Sequence, residues 1–209
     1  MSKVALCLSG KVGNVQGKSG FFDSDPRVLI KGHEHYKRHI IDKNDVDVFV
    51  HCWDKELEEK TLELYNPVKS VFEKQIYFDI PDYVKGDDAR KNNHYSRWYS
   101  NKMVNEYRKE YEGGRGPLYD LLQSYPSSLN QLTRTTKGYP VNDEGFLDLW
   151  FFANSKNSSD FFSLYNHLDE YNKPGNCDTD SSGRISNHRL VKYHLQNLGL
   201  LDKLKLCNG

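Results

Sequence analysis

What this sequence most obviously lacks is charge of one sign. Its 209 residues carry 29 basic and 29 acidic side chains, for a formal net charge of zero. A general nucleic-acid binder shows a basic excess, so DNA or RNA is not expected as the main partner. Long apolar runs are missing as well. No segment approaches the roughly 20 consecutive apolar residues of a membrane span. Met1-Ser2-Lys3 leads into a short apolar run without a signal-peptide pattern. The expectation is a soluble, cytoplasmic chain. Cysteine is scarce, with Cys7, Cys52, Cys177 and Cys207 and no C-x-x-C pair, which leaves a zinc ribbon or a redox motif unsupported. Cys7 and Cys52 fall inside apolar segments and read as small buried hydrophobes, which suits a reducing compartment. There is no G-x-G-x-x-G and no Walker sequence, so dinucleotide-binding and P-loop readings fail. No internal repeat or low-complexity tract is present.

Aromatic residues, by contrast, are plentiful at 13%, with 14 Tyr against 3 Trp. Disordered chains are poor in aromatics, so this one is expected to fold, in one domain by its length. Val4 to Leu8 is an unbroken apolar run ended by Ser9-Gly10, which reads as a strand covered on both faces. Gly10 to Asp25 reads as a long loop. Asp25-Pro26 then opens a helix, with Asp25 as cap and Pro26 at its first position. Val46 to Trp53 is a second strand, Lys55 to Tyr65 a surface helix stopped by Asn66-Pro67, and 68–73 with 75–78 a third strand region closed by Asp79. Strand–helix alternation of this kind argues for a parallel sheet with helices on both faces. Val84 to Asn93 reads as a polar loop. His94 to Glu112 is the best helix, with Tyr99, Met103, Tyr107 and Tyr111 every four residues and Gly113-Gly114 as its stop. Leu118 to Leu122 reads as a strand, 158–171 as a helix, 173–184 as a loop, and Ser186 to Leu198 as the last helix, capped by Ser186 and ended by Gly199.

In open parallel sheets, ligands bind outside the carboxyl ends of the strands. Three such ends here are polar: Ser9-Gly10-Lys11, then His51-Cys52-Trp53-Asp54, then Asp79. Backbone N–H groups and a hydroxyl at Ser9-Gly10, with the charge of Lys11, suit a phosphate. A turn with no ligand is the competing reading. Arg97 and Lys102 suit a diphosphate, or simply form a charged helix face. Trp98 suits either a base pocket or the core. Asp148 stands inside the apolar segment Phe146 to Ala153, where a carboxylate without a purpose is rare. It fits a general base that takes a proton from an attacking hydroxyl. His33, His35 and His39 have suggestive spacing but lie on a charged helix without a carboxylate shell, and read as a solvated face.

Several segments, taken in order, resemble a known family. They are Ala5-Leu6-Cys7-Leu8-Ser9-Gly10, Asp47 to Asp54, Tyr95-Ser96-Arg97-Trp98-Tyr99-Ser100, Asp148 to Ser155, and His188 to Leu195. Together they look like the small GT-A glycosyltransferase domains of bacterial surface-glycan clusters and large algal viruses, including the N-terminal glycosyltransferase domains of chlorovirus capsid-glycosylating proteins. The resemblance implies a GT-A-like mixed, mostly parallel sheet flanked by helices. It implies a UDP-sugar donor, hexose or deoxyhexose, and a glycan or glycoprotein acceptor. It also implies Mn²⁺, or Mg²⁺, to offset the charge of the departing diphosphate. In this reading Ser9, Gly10, Lys11, Asp54, Arg97, Trp98 and Lys102 serve the donor, and Asp148 is the catalytic base.

The family's R-x-D or D-x-D element would follow Tyr119 to Leu122. There the sequence continues Gln123-Ser124-Tyr125-Pro126-Ser127-Ser128, with no carboxylate. Metal ligands are therefore expected elsewhere. Asp79, with Asp82 close by, and His188 are the candidates. Asp79 equally suits a turn cap before Pro81, and His188 a surface position. A non-catalytic nucleotide-sugar or sugar-binding module of the same fold is the alternative to the enzyme.

Overall fold

A computed structural model describes residues 3–14, 24–113, 120–124, 150–180 and 182–203. Strand β1 (Lys3–Gly10) is followed by helix α1 (Pro26–His39), β2 (Asp45–Cys52), α2 (Glu58–Tyr65), β3 (Lys69–Phe72) and the long helix α3 (Asp88–Glu112). Then come β4 (Asp120–Ser124), β5 (Trp150–Asn154), α4 (Ser155–Phe162), the short α5 (Leu168–Tyr171) and α6 (Asn187–Asn197). The strands form one sheet in the order β3-β2-β1-β4-β5. The first four run parallel, and β5 pairs antiparallel to β4 on the edge. The coarse expectation of a mixed, mostly parallel sheet with flanking helices is met.

Side-chain alternation along the strands divides the core in two. Leu6 and Leu8 of β1, with Val48, Val50 and Cys52 of β2, pack with Leu29, Tyr36, Leu57 and Tyr65 of the α1–α2 side. Ala5, Cys7 and Phe49 point the other way, into a second cluster with Trp98, Val104 and Tyr107 of α3, Phe161 and Phe162 of α4, and Leu190, Val191 and Leu195 of α6. Each fully buried Leu, Val or Phe contributes roughly 1.5–3 kcal/mol. β1 is covered on both faces because it is the central strand. The buried thiols of Cys7 and Cys52 are each pushed up to about 12 by desolvation, as expected of cysteines that act as hydrophobes.

The same alternation decides what meets α3. Continuing Ala5 and Cys7 by two residues gives Ser9, and continuing Phe49 gives His51. The two are register partners. Both therefore reach α3, at Asn101 and Ser100. Farther along α3, Tyr111 packs on Phe49 with ring centroids 5.8 Å apart. The helix thus runs antiparallel to the strands. At 1.5 Å per residue its 25 residues span about 37 Å. Its first turns, Asp88 to Tyr99, continue past the carboxyl edge of β1 and β2 and wall that side.

Helix ends follow their caps. Asp25 accepts from the Arg27 N–H with Pro26 at the first position. Asn66 closes α2 in the left-handed region at φ 42°. Gly113 and Gly199 follow α3 and α6 at φ 29° and 63°. Four expectations are corrected. The segment read as a polar loop holds the start of α3, capped by Asp87, whose carboxylate accepts from the Arg90 N–H. Within those first turns Asp88 is exposed, whereas Arg90 is half-buried, donating to the Ile185 carbonyl at 2.9 Å and to Asp180 at 3.0 Å. The third strand ends at Phe72, so 75–78 is not strand and Asp79 does not end one. This segment instead lies along α3, where Asn92 Oδ1 accepts from the Phe78 N–H at 3.0 Å and Gln75 bonds the Ser96 hydroxyl. The helix read over 158–171 begins at Ser155, capped by Asn154, and is broken by a 3-10 turn at Ser163–His167. Strand β4 is described from Asp120 to Ser124, two residues beyond the expected end at Leu122.

Candidate functional site at the carboxyl edge of the sheet

The direction of strand succession reverses at β1. From it the chain steps to β2 and β3 on one side, while β4 lies on the other. A crevice outside the carboxyl ends of the strands at such a switch point is where open α/β sheets bind ligands. Ser9, Gly10 and Lys11 stand there, at the end of β1.

Gly10 adopts φ 98°, a conformation that strains any residue with a Cβ. Its carbonyl accepts from the Trp53 N–H at 3.1 Å, which ties the β1 end to the β2 end. Asp54 then accepts from the Val12 N–H at 2.5 Å, and Ser24 Oγ lies 2.9 Å from the Val12 carbonyl oxygen. Asp54 is only 5% exposed. Burial raises its pKa, while hydrogen bonds from Ser24 and Val12 and the charge of Lys11 oppose the rise. Asp54 therefore acts as a clamp on the turn after β1, with little surface for a ligand. Lys11 is exposed beside it. Ser9 is buried and its Oγ donates to Asn101 Oδ1 at 2.6 Å.

Beside this turn lies a second polar network. His51 is fully buried. Its Nε2 is 2.9 Å from Glu73 Oε1 and its Nδ1 is 2.7 Å from Ser100 Oγ. With the Nε2 hydrogen given to the carboxylate, Nδ1 accepts from the hydroxyl, which also lies 3.2 Å from the His51 carbonyl. Burial lowers the His51 pKa and Glu73 opposes that shift. The Ser-His-Glu order has the look of a nucleophile relay, but Ser100 is fully buried and no substrate can reach it. The network joins α3, β2 and the residue after β3. Trp53 packs edge-on to His51 and stacks on Tyr99 at 5.6 Å. Its indole Nε1 is buried with no hydrogen-bond partner among the described residues, and buried donors are usually satisfied.

Ser9, Gly10, Lys11 and Asp54 thus come together, and the remaining candidates lie elsewhere. Trp98 is fully buried, donating from Nε1 to Asn187 Oδ1 at 2.9 Å and packing on Phe161. It is a core residue and offers no face to a base. The Arg97 guanidinium lies 5.8 Å from the Trp98 ring centroid. The Lys102 ammonium lies 5.2 Å over the ring of Tyr165. His188 is half-buried in the first turn of α6. Asp79 is exposed and lines a cavity with Asp169. Asp148 lies outside the described residues.

No group of three His, Cys, Asp or Glu among the described residues is placed to hold a metal ion. His188 is not among the residues lining the Asp79 cavity. The described part of the chain therefore does not form a Mn²⁺ or Mg²⁺ shell, and no chemical step is derived through one. No described helix is long and apolar enough to cross a membrane.

Asn101, Ser100 and Glu73 were missed as functional candidates from sequence. For Asn101 and Ser100 a signal existed: two polar residues follow Tyr99 on a helix otherwise expected to be apolar on its inner face. Comparison with protein-family models, with curated proteins and with solved structures finds no match.

Proposed function

We propose that the chain is a GT-A-type glycosyltransferase that binds a nucleotide sugar, a UDP-hexose or UDP-deoxyhexose, at the carboxyl edge of β1 and β2. It passes the sugar to a hydroxyl of a glycan or glycoprotein. The observation that carries this reading is the turn Ser9 to Val12, set at the switch point and held by Asp54. The turn presents backbone at a Gly-specific conformation and one exposed cation, Lys11, on the side where such sheets bind ligands. Nucleoside diphosphates are anionic, and amide N–H groups with a lysine suit them. Asp54 and Asn101 position the turn, and His51 with Glu73 and Ser100 fixes α3 against it. Asp148 remains the proposed base, accepting the proton of the acceptor hydroxyl as the sugar transfers.

The motif order along the sequence supports glycosyl transfer over other uses of a nucleotide. A non-catalytic nucleotide-sugar or sugar-binding module of the same fold is favoured by one observation, the missing metal shell among the described residues. Calorimetric titration with UDP, with and without Mn²⁺, tests the first reading, and absence of heat for any nucleotide under either condition overturns it. Donor hydrolysis by a protein that binds UDP separates enzyme from module. In an active protein, Asp148→Asn lowers turnover, and an unchanged rate removes Asp148 from the role of base.

A further inference from the structure

A cavity of about 230 Å³ opens between α3, the segment before it and the turn before α5, lined by Phe78, Asp79, Tyr95, Tyr165, Asn166 and Asp169. Packed rings link it to the carboxyl end of β2. Trp53 stacks on Tyr99, and Tyr99 contacts both Phe78 and Tyr165 at centroid distances of 5.7 and 5.5 Å. Phe78 lies 6.1 Å from Tyr95 and 6.3 Å from Tyr165. At these spacings the rings touch one another. Their planes are tilted 45° to 73° to one another, so they make an aromatic wall of faces and edges and leave no slot between them for a ligand.

Two carboxylates and an amide, all exposed, line the same cavity: Asp79, Asp169 and Asn166. Asp169 is fixed in place. The Tyr95 hydroxyl donates to its Oδ1 at 2.7 Å, and the Tyr83 hydroxyl donates to its backbone carbonyl at 3.1 Å. Aromatic surface, with acceptors and one donor-acceptor amide in the same lining, matches a molecule that has an apolar C–H face and a belt of hydroxyls. The volume is below the roughly 300–1,000 Å³ of drug-sized sites, so it has room for one ring. An organic amine would also like aromatic faces and carboxylates. Here, however, the Lys102 ammonium already sits over Tyr165, and a second cation beside it is disfavoured.

We propose that this cavity binds a neutral saccharide ring, with Asp79, Asn166 and Asp169 receiving its hydroxyls and the aromatic wall of Phe78, Tyr95 and Tyr165 its C–H face. As a binding site this stands on the cavity alone. As the acceptor subsite it rests on the glycosyl-transfer reading above.

The test is saturation-transfer NMR on the full chain with glucose, galactose, N-acetylglucosamine and rhamnose. Methylamine and tetramethylammonium serve as cationic probes, and UDP is titrated separately by calorimetry. The expected result is weak binding of at least one monosaccharide. Asp79→Ala and Asn166→Ala, both at exposed positions outside the two cores, each weaken it by up to about tenfold, the worth of one lost hydrogen bond. Circular dichroism confirms that each variant is folded. Three results overturn the proposal: no saccharide signal at tens of millimolar, a signal unchanged in both variants, or preference for the amines. Saccharide binding without UDP binding upholds the cavity and refutes the donor reading, and the converse refutes the cavity alone.

Discussion

His194 makes the sharpest quantitative prediction. It lies on the inner face of α6 and is fully buried. Its Nε2 is 2.9 Å from the Asp160 carbonyl oxygen, which can only accept, so Nε2 carries the hydrogen. Its Nδ1, 2.9 Å from the Tyr171 hydroxyl, then accepts. Ser163 Oγ is 3.4 Å from Nε2, and the His167 ring centroid is 5.6 Å away. The neutral ring is therefore fully hydrogen-bonded. Protonation at Nδ1 would bury a charge and displace the Tyr171 donor. Burial accordingly pushes the pKa from the ordinary 6.5 down to about 4, with the Asp160 carbonyl partly opposing. Above pH 6.5 both folded and unfolded chains are neutral here, and stability is complete. Below it the unfolded chain takes up a proton that the folded one refuses. Stability therefore falls as pH drops, until the folded site also protonates near pH 4. At about 1.36 kcal/mol per pH unit, that interval is worth about 3 kcal/mol. This is a large share of the roughly 5–15 kcal/mol by which domains are stable. In His194→Gln the amide can donate to Asp160 and accept from Tyr171, but it does not titrate. Urea unfolding at pH 7 and at pH 4.5 should show the wild type losing about 2–3 kcal/mol more than the variant. Equal losses in both proteins, or an NMR titration of His194 near 6.5, would refute the argument.

Three further outcomes follow from other buried groups. Arg108 is fully buried and ion-paired with Glu112, which also accepts from the Ser155 hydroxyl at 2.6 Å. Arg108→Ala takes the guanidinium away from that buried carboxylate and should cost about 3–5 kcal/mol in urea unfolding, and a loss below 1 kcal/mol would show that Glu112 escapes to water. Asp54→Ala removes the acceptor of the Val12 N–H. It should cost about 1–3 kcal/mol and weaken UDP binding with it, whereas unaltered UDP affinity would mean that the turn is not the nucleotide contact. Glu73→Gln deletes the charge that holds the His51 pKa up against burial, so NMR should find His51 protonating at still lower pH, and no change would discount the contact at 2.9 Å.

Local patterns along the chain were enough for much of this protein. Apolar runs bounded by Gly, Pro and Asp place β1, α1, β2 and α2, because a strand covered on both faces and a capped helix each leave a mark within a few neighbouring residues. The start of α3 left a weaker one. From Asp88 to Asn93 the helix is polar and its stability comes from the cap and from packing farther along, so composition alone reads as loop. Asp79 shows the opposite failure. It follows an apolar stretch that looks like strand, but Gln75 and Phe78 bond to α3 and not to a neighbouring strand.

The site divides along the same line. That Ser9-Gly10-Lys11 closes a buried strand is legible in eleven residues. That Ser9 faces Asn101, 92 positions away, was decided only when the sheet set its alternation and α3 crossed it antiparallel. Trp98 and Asp54 show why it matters. Both are polar-capable residues in suggestive places, and only their burial, one in the core and one under the Val12 turn, separates a structural role from a ligand-facing one. A sequence carries the period of each segment, whereas the pairing of faces across the molecule is a property of packing.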